Sequence, residues 1–429
     1  MSRKNRKKTA IVIGSGAGGA TIARELQGKY RVTILEAGGD FKPFSLPIRK
    51  LARLRKSGMF FDERLIRLLL PNMLVEKSTD MVLVRGIGVG GTTTLATGNA
   101  VRCDGALKEL GIHLDAEFDE LYHELPITTD HQKHWTKATQ TMYALFEQMG
   151  LDPVVTPKLL DASRCVGCGH CAIGCPTGAK WDVRRLIDQA VARGARLLTG
   201  CRVTDLAIQG NAVTEVHARR HGKKFYLRAD LVILAAGGLG TPVILEHSGI
   251  SCDKRLFVDP VLCVAGPLPE LHQEQQLLMP FISQQDGYIL SPYMDYLSFF
   301  FNKDWRLPME HIASVIIKLA DEEIGSTNGR KIDKSMSTND HARMDKAVAQ
   351  CREILSRMGV PPEKQFLGTI NAGHPGGMLP LTTAEKDTLH NARLPENLYI
   401  ADATLLPKAM GNPPILTIMA LAKKIAAGL

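Results

Sequence analysis

The 429-residue sequence predicts an α/β fold, in which a parallel sheet is covered by helices and joined to a smaller second domain. Two segments support this prediction. Thr9 to Ile13 is a short apolar strand that leads through a glycine-rich turn into a helix, Ala20 to Leu26, and a second strand, Val32 to Leu35. Residues 230–236 have the composition of a buried strand and are again followed by glycines and by a helix, Pro242 to Glu246. Strands alternating with helices favour a parallel sheet.

The turn after the first strand has the spacing G-x-G-x-x-G, formed by Gly14, Gly16 and Gly19. In a dinucleotide site the first glycine permits a tight turn, the second lets the backbone approach a pyrophosphate, and the third lets helix and strand pack closely. Glu36 ends the second strand, where a carboxylate accepts hydrogen bonds from ribose hydroxyls and disfavours the 2′-phosphate of NADP. The turn therefore predicts a Rossmann-like site, but it does not distinguish FAD from NAD, and a turn without a ligand is the alternative.

Four cysteines, Cys165, Cys168, Cys171 and Cys175, lie within a few residues of one another and are followed by Pro176. The spacing C-x2-C-x2-C-x3-C-P is the one by which bacterial ferredoxins hold a [4Fe–4S] cluster. The fourth cysteine of such a run can serve another cluster, so the fourth ligand could also be a distant cysteine: Cys103, Cys201, Cys252, Cys263 or Cys351. Structural or reactive thiols and a zinc site are the alternatives, although zinc sites usually pair two separated C-x2-C knuckles.

Composition excludes several classes of protein. The net charge of +9 comes from a basic tail, Arg3 to Lys8, and from Arg49 to Arg67, so no nucleic-acid-binding face is expected. No apolar stretch approaches the roughly 20 residues that span a bilayer. The absence of a secretory signal and the clustered cysteines favour the cytoplasm. The basic, leucine-rich segment Ile48 to Leu70 could contact a membrane surface, but a solvated helix packed on the protein is favoured.

Three further regions carry a family resemblance. They are Arg85–Thr93 with Asn99, residues 231–242 with 248–250, and the C-terminal segments 397–403 and 412–422. They resemble, in turn, the second flavin-binding motif, the internal signature, and the last flavin-binding strand and helix of the glucose–methanol–choline (GMC) oxidoreductases. The resemblance implies a short member of this family with a ferredoxin-like four-cysteine insertion. It implies FAD as cofactor, with contacts from Gly90, Gly91, Thr92, Asn99, Val203, Ala236, Asp402, Ala403 and Pro413.

The same resemblance assigns a catalytic pair. His374 would take the hydroxyl proton of an alcohol while a hydride passes to flavin N5, and Asn412 would hydrogen-bond the same oxygen. An imidazole suits this role because its pKa, about 6.5, lies near working pH. Asn412 could also cap the helix that follows it. The run Gly376 to Pro380 departs from the Gly-Thr-Cys-Arg-Met-Gly-like run that usually follows the family's histidine. Long-chain alcohol oxidases of the family resemble Cys168 to Lys180, so part of the cysteine motif could be scaffold.

The predicted function is an FAD-dependent dehydrogenase that oxidises a small alcohol-type substrate. Its electrons would leave through the [4Fe–4S] cluster to an external one-electron acceptor, either a ferredoxin-like protein or a quinone. One alternative is a flavin and iron–sulfur reductase that works in reverse on a carbonyl or an activated alkene. Another is an electron-transfer flavoprotein subunit that has no substrate of its own.

The predicted domains are interleaved along the chain. Residues 1–110, 183–250 and 365–429 would form the FAD-binding domain, and residues 111–182 a helical segment with a cysteine-rich loop at 160–182. Residues 251–364 would form an α+β substrate domain that covers the flavin. That domain contains a concentration of aromatic residues, for which a core is favoured over a pocket lining: Tyr288, Tyr293, Tyr296, Phe299, Phe300, Phe301 and Trp305.

Overall fold

The computed structural model describes residues 7–41, 72–269 and 271–429. The segment Ile48 to Leu70 and most of the basic tail lie outside the described residues. The helices are α1 (Ala17–Glu25), α2 (Gly105–Glu109), α3 (Asp115–Glu124), α4 (Lys137–Gln148), α5 (Arg184–Ala192), α6 (Gly237–His247), α7 (Tyr296–Phe301), α8 (Thr338–Arg357) and α9 (Ile415–Ala427).

The strands are more numerous and mostly short. They are β1 (Thr9–Ile13), β2 (Arg31–Leu35), β3 (Met73–Lys77), β4 (Val82–Gly86), β5 (Ile127–Thr128), β6 (Pro153–Val155), β7 (Lys158–Leu159), β8 (Arg196–Leu198), β9 (Cys201–Gln209), β10 (Ala212–Arg220), β11 (Lys223–Leu227), β12 (Leu231–Leu234), β13 (Val261–Pro267), β14 (Phe281–Gln285), β15 (Tyr288–Pro292), β16 (Ile312–Leu319), β17 (Ser326–Thr327), β18 (Ile332–Asp333), β19 (Phe366–Leu367), β20 (Asn371–Ala372) and β21 (Leu398–Ile400).

The first sheet is parallel and has the strand order β21-β12-β1-β2-β8. Helix α1 connects β1 to β2, and its buried face packs against α9 and α5. Strands β1 and β12 are almost entirely buried, as expected for parallel strands with helices on both faces. The α/β fold class predicted from the two strand–glycine–helix segments is therefore confirmed.

Three helices begin elsewhere than the sequence suggests, one of them α6, which begins at Gly237 rather than at Pro242. Helix α1 begins at Ala17 rather than Ala20 and so contains two glycines of the turn. Helix α9 begins at Ile415, not at Asn412, and Asn412 does not cap it, because the cap position is Pro414 and no side chain occupies the cap. The shift has a local cause: a residue that precedes proline is disfavoured in the helical region, and two prolines follow Asn412 in succession.

The second sheet has the order β3-β4-β20-β13-β16-β15-β14-β6, with β19 beside β13. It is antiparallel except between β4 and β20. Its strands come from residues 73–86, 153–155, 261–319 and 366–372, a wider range than the segment 251–364 assigned to the substrate domain. Helix α8 covers one face of this sheet and begins with a capping box formed by Ser337 and Asp340.

The register of the second sheet places three residues side by side. Val261 of β13 pairs with Lys318 of β16 on one side and with Asn371 of β20 on the other. The chain segment just before β13 and the segment just after β20 lie at the same edge, so residues 259 and 374 are brought close to Lys318. This edge faces the first sheet and forms one wall of the candidate site.

The remaining strands form a three-stranded antiparallel sheet, β11-β10-β9, and two short antiparallel pairs, β17-β18 and β5-β7. Across the described ranges, no helix is both long enough and apolar enough to cross a lipid bilayer.

Candidate active site

The glycine turn after β1 is closely packed on one side and open on the other. A Cβ on Gly14 would lie 2.1 Å from the Ala235 carbonyl oxygen, and Gly14 has a φ of +103°, so only glycine fits there. A Cβ on Gly19 would lie 2.2 Å from the Gly14 carbonyl oxygen. Gly16, at the N-cap of α1, has no neighbouring atom within 4 Å of such a Cβ. The turn therefore presents an open cradle beside the free N–H groups of a helix, which suits a pyrophosphate.

Gly18 is a third tightly packed glycine, and the motif did not single it out. A Cβ there would lie 1.6 Å from the Ala401 carbonyl oxygen, just beyond β21. The signal was present in the sequence as the paired glycines at 18 and 19, because a helix interior seldom retains glycine without a close neighbour.

Glu36 joins the first glycine turn to the second. Its Oε2 accepts hydrogen bonds from the Ser15 N–H (3.1 Å) and hydroxyl (2.6 Å), and its Oε1 accepts one from the Gly38 N–H (2.9 Å). Burial raises the pKa of this carboxyl, against the effect of those hydrogen bonds. The Gly90 N–H donates to the Ser15 hydroxyl oxygen at 3.2 Å. The two predicted motifs are therefore held together by one polar network.

The second turn lies directly against the first. A Cβ on Gly91 would lie 3.0 Å from the Gly16 Cα. Thr92 and Asn99 follow and line a cavity, which Pro413 also lines. The structure thus brings most of the predicted flavin contacts into one region.

Asp402 contributes through the start of α6. Its Oδ2 accepts hydrogen bonds from the Gly237 N–H (2.9 Å) and the Thr241 hydroxyl (2.5 Å), and its Oδ1 accepts one from the Thr404 N–H (2.9 Å). Ala236 precedes this helix and donates its N–H to the Thr241 hydroxyl oxygen at 3.1 Å. Burial raises the pKa of Asp402.

Two other predicted contacts are mainly packed among apolar residues. Ala403 is buried, and its carbonyl accepts a hydrogen bond from the Gly377 N–H at 3.1 Å. Val203 lies on β9 and packs in the same hydrophobic cluster as β1.

The cavity has a volume of about 230 Å³ and a mainly apolar lining. Four of the aromatic residues noted in the sequence line it, while Tyr288, Phe299 and Trp305 are in the core. The aromatic segment thus divides between the two roles considered for it. The residues that line the cavity include Thr92, Asn99, Ala172, Ile173, Val261, Tyr293, Tyr296, Phe300, Phe301, Lys318, Asn371, His374 and Pro413.

His374 follows β20 and lines the cavity with a partly exposed side chain. Its Nδ1 is buried and lies 3.4 Å from Asp259 Oδ2, within ion-pair distance but without hydrogen-bond alignment. Burial, reinforced by the nearby Lys318 ammonium, lowers the pKa of His374, while Asp259 opposes the shift. The imidazole is therefore neutral near pH 7 and leaves Nε2 as the nitrogen available to a ligand.

Asn412 lies close to this site, but its amide is engaged elsewhere. Its Nδ2 donates to Gln284 Oε1 at 2.8 Å. Its Oδ1 is buried and has no hydrogen-bond partner among the described residues. The chain neighbour Pro413, and not the Asn412 amide, borders the cavity.

Sequence reasoning missed Lys318 and Asp259. Their side chains form an ion pair of 2.5 Å, and each is at most 3% exposed. The missed signal was the single lysine in the otherwise apolar strand β16, whose sequence is IASVIIKL. A fully buried lysine requires a charged or polar partner, but the sequence does not reveal which residue provides it.

Comparison with known families identifies the chain. The family model of GMC oxidoreductase matches residues 8–268, more than half of the sequence. The chain belongs to the GMC oxidoreductase family. It is therefore an FAD-dependent oxidoreductase acting on CH–OH groups, and the family resemblance inferred from the sequence is confirmed.

Similar proteins include several GMC oxidoreductases. A protein of Methanocaldococcus jannaschii is 26% identical over 419 residues, covering 96% of this chain and 97% of its own. A GMC-type oxidoreductase of Mycobacterium tuberculosis is 26% identical over 487 residues, covering 97% and 75%. A long-chain-alcohol oxidase of Arabidopsis thaliana is 23% identical over 515 residues, covering 96% and 65%. The solved structure of pyridoxine 4-oxidase from Mesorbium loti superposes with a TM-score of 0.71 at 16% identity, covering 98% of each chain, and supports the same fold.

The cysteine loop of this GMC oxidoreductase lies against the same cavity. A 3-10 turn, His170–Ile173, carries Ala172 and Ile173 into the cavity lining. The hydroxyl of Tyr296, another lining residue, donates to the Gly169 carbonyl at 3.1 Å. The loop is therefore part of the cavity wall.

The thiols of this loop have donors suited to a thiolate centre. The Lys180 N–H donates to Cys175 Sγ at 3.4 Å. Although burial acts to raise it, the pKa of Cys175 is lowered by this and neighbouring hydrogen bonds. Burial and the charges of the other thiols raise the pKa of Cys165 and Cys168.

The sulfurs are not, however, gathered into a binding site. Within the described ranges, no group of three or more His, Cys, Asp or Glu side chains is arranged to hold a metal ion. The thiols and the N–H donors are of the kind that an iron–sulfur cluster uses, and the four sulfurs would have to come closer together to hold one.

Lys180 links the cysteine loop to the flavin-binding turn. Its buried ammonium donates to the carbonyls of Thr94 (2.8 Å), Ala96 (2.7 Å) and Cys171 (2.9 Å). Burial lowers the pKa of Lys180 to about 8. Lys158, also buried, donates to Asn99 Oδ1 and to the Leu278 carbonyl.

Proposed function

We propose that this enzyme is an FAD-dependent dehydrogenase that oxidises an apolar alcohol, with His374 as the base. The observation that carries the proposal is the position of His374, whose imidazole borders a mainly apolar cavity between Thr92 and Pro413. The alcohol carbon chain would contact the aromatic wall formed by Tyr293, Phe300 and Phe301. The long-chain-alcohol oxidase among the relatives supports a substrate of this class.

The two glycine turns and Glu36 would hold the cofactor. When bound, FAD supplies the hydride acceptor. The cradle at Gly16 and the N-terminus of α1 would bind the pyrophosphate, and Glu36 lies where the ribose hydroxyls of a dinucleotide are recognised. Gly91 and Thr92 would let the chain pass close to a flat ring, and the N-terminus of α9 would offer it free N–H groups.

His374 would accept the proton of the substrate hydroxyl at Nε2. Lowering of its pKa by burial keeps the imidazole unprotonated, and so able to act as a base, near neutral pH. Asn412 would hold the substrate oxygen after exchanging its hydrogen bond with Gln284 for one with the substrate. Its unpartnered Oδ1 is consistent with an amide that changes partners when a ligand enters.

The test of this chemistry is turnover of primary alcohols of increasing chain length with an artificial acceptor. The His374→Ala variant is expected to retain FAD while kcat falls by about 10²- to 10⁴-fold. His113→Ala, an exposed histidine, is the matched control. Unchanged turnover in His374→Ala would remove His374 from the mechanism. A wild-type enzyme that oxidises none of these alcohols but carries a redox-active flavin would favour the electron-transfer subunit.

The route for electrons is the second part of the proposal. A [4Fe–4S] cluster on Cys165, Cys168, Cys171 and Cys175 would pass electrons singly to an external acceptor, a ferredoxin-like protein or a quinone. The cysteine spacing, the N–H donors to Cys175 and the contact of this loop with the cavity support it.

Iron, sulfide and flavin assays on anaerobically purified protein test this part. About four irons and four sulfides per chain, with a spectrum bleached by dithionite, are expected beside one FAD. The Cys168→Ser variant should lose iron and keep flavin. Flavin without iron in the wild type would assign the thiols a structural role and favour direct use of oxygen as acceptor.

A further inference from the structure

The geometry points to Asp259 and Lys318 as positioning residues for His374, acting together on one edge of its imidazole. Asp259 would hold Nδ1 and balance the charge that the ring gains with a proton. Lys318 would oppose protonation before the substrate arrives. This inference rests on the proposed role of His374 as base, and neither residue is a catalytic group itself.

The contacts of one carboxylate carry the argument. Asp259 Oδ2 lies 2.5 Å from Lys318 Nζ and 3.4 Å from His374 Nδ1, so the same oxygen serves both. Asp259 Oδ1 accepts the Gly411 N–H at 3.1 Å, next to Asn412. A single buried carboxylate thus contacts the predicted base, a cavity-lining lysine and the backbone beside the second predicted catalytic residue.

The carboxylate is held rigidly. Asp259 has a φ of +53°, an uncommon conformation for a residue other than glycine. Its N–H donates to Asp321 Oδ1 at 2.7 Å, and Asp321 pairs with Lys334 at 2.7 Å. Two buried ion pairs and a strained backbone are costly to fold, and such features concentrate where function requires them.

The proton balance explains the two roles. As the C–H hydride leaves the substrate for the oxidised flavin, the O–H bond breaks and the proton binds His374 Nε2, which gives an imidazolium. Its positive charge then lies beside Asp259. The distance of 3.4 Å between His374 Nδ1 and Asp259 Oδ2 would shorten, because Nδ1–H becomes a stronger donor. The Lys318 charge works in the opposite direction on the resting ring and keeps the base available at lower pH.

Other charged or titratable groups face this trio from the surrounding elements, and all of them must be considered in a pH profile. They are Asp321 after β16, Lys334 after β18 and Cys103 before α2.

The test measures the pKa of His374 directly by NMR in isotope-labelled, FAD-loaded enzyme, with assignment from His374→Gln. In Lys318→Met the pKa of His374 should rise by about one unit or more, since an opposing charge is removed. In Asp259→Asn/Lys318→Met, which leaves no unpaired buried charge, it should fall below the Lys318→Met value. Lys423→Met removes another buried, ion-paired lysine, on α9, and should leave it unchanged.

In each variant, the acidic limb of the kcat/KM profile should move in the same direction as the pKa of His374. In Asp259→Asn/Lys318→Met, kcat should fall by a larger factor than KM changes. An unshifted His374 in Lys318→Met would overturn the inference, as would equal pKa values in the two variants. Should the double variant fail to fold, Lys318→Met alone decides. The NMR titration needs no substrate, so a lack of alcohol turnover in the wild type would defeat the proposed function while this result still stands.

Discussion

Two neighbouring glycines of the nucleotide turn have opposite surroundings, which allows packing to be separated from ligand binding. A Cβ at residue 18 would lie 1.6 Å from the Ala401 carbonyl oxygen, whereas a Cβ at residue 16 would meet no atom within 4 Å. We expect Gly18→Ala to displace α1 from the sheet and to abolish soluble, FAD-containing protein. We expect Gly16→Ala to fold as the wild type does and to lose FAD affinity by at least about tenfold, since the methyl group enters the cradle.

Thermal unfolding of the flavin-free proteins and fluorescence titration with FAD measure the two effects. Gly39→Ala, where a Cβ also meets no neighbour, controls for the loss of a glycine. Equal FAD affinity in Gly16→Ala and the wild type would place the pyrophosphate elsewhere.

Sequence reasoning at the residue scale succeeds where the interaction is local. Gly14, Gly16, Gly19 and Glu36 belong to one continuous strand–turn–helix–strand unit, so their spacing alone predicts that they lie together, as they do, while their roles in binding FAD stay predictions. Asp259 and Lys318 are 59 residues apart and meet only through the register of β13 and β16. No local pattern specifies that register, and for this reason the ion pair escaped prediction.

A neutral histidine, His131, connects the 3-10 turn Asp130–His134 to Thr156, the residue after β6. His131 Nε2 donates to the Thr156 carbonyl at 2.8 Å, and Nδ1 accepts the Trp135 indole N–H at 3.1 Å. Burial lowers the pKa of His131 to about 4. Because the unfolded chain binds this proton near pH 6.5 and the folded protein only near pH 4, the free energy of unfolding should decrease as pH falls between these values.

The decrease attributable to His131 should be at most about 3 kcal/mol. Urea unfolding at several pH values measures it, and His131→Gln should flatten that part of the profile at a cost in stability at pH 7. His113→Gln, an exposed site, should retain the wild-type slope. An unaltered slope in His131→Gln would assign the acid sensitivity to other groups.

Lys180 joins the chain after the second glycine turn directly to the cysteine loop. Replacing it with Met leaves four carbonyls, at Thr93, Thr94, Ala96 and Cys171, without this donor, and those of Thr93 and Thr94 are buried. Each such loss costs about 1–3 kcal/mol, so Lys180→Met should lower the melting temperature and weaken FAD and iron retention together. The ratio of FAD and iron to protein measures this, with Lys423→Met as the control for a buried lysine. A variant that loses only one of the two would show that the elements are independent.

The predicted boundaries of helices and strands were wrong where proline or pairing with distant strands determined them. Helix α9 begins three residues later than expected because Asn412 precedes two prolines. Strand β20, only two residues long, has no recognisable pattern, yet it aligns with β4 and β13 and carries His374 to the cavity. Short strands of this kind exist through their neighbours rather than through their own sequence.

At the scale of the whole molecule, the first sheet was predictable because strand–glycine–helix segments occur near the start and in the middle of the chain. The second sheet was not, since its nine strands come from four separated segments. Strands β3 and β4, for example, precede a flavin-binding turn in sequence but pair within the sheet that covers the cavity. Strands of the two sheets thus alternate along the chain.

This interleaving predicts that the protein unfolds in one step. The three tryptophans report on different regions: Trp181 lies in the hydrophobic cluster of the first sheet, Trp135 packs against the cluster beneath α8, and Trp305 lies in the cluster beside the cysteine loop. In protein labelled with 5-fluorotryptophan, the three native ¹⁹F signals should disappear at the same urea concentration, because no cluster keeps its strands when another unfolds. Single Trp→Phe variants assign the signals. A Trp181 signal that outlasts the other two would mean that the first sheet is stable by itself, and the interleaved strands would then not couple the two sheets energetically.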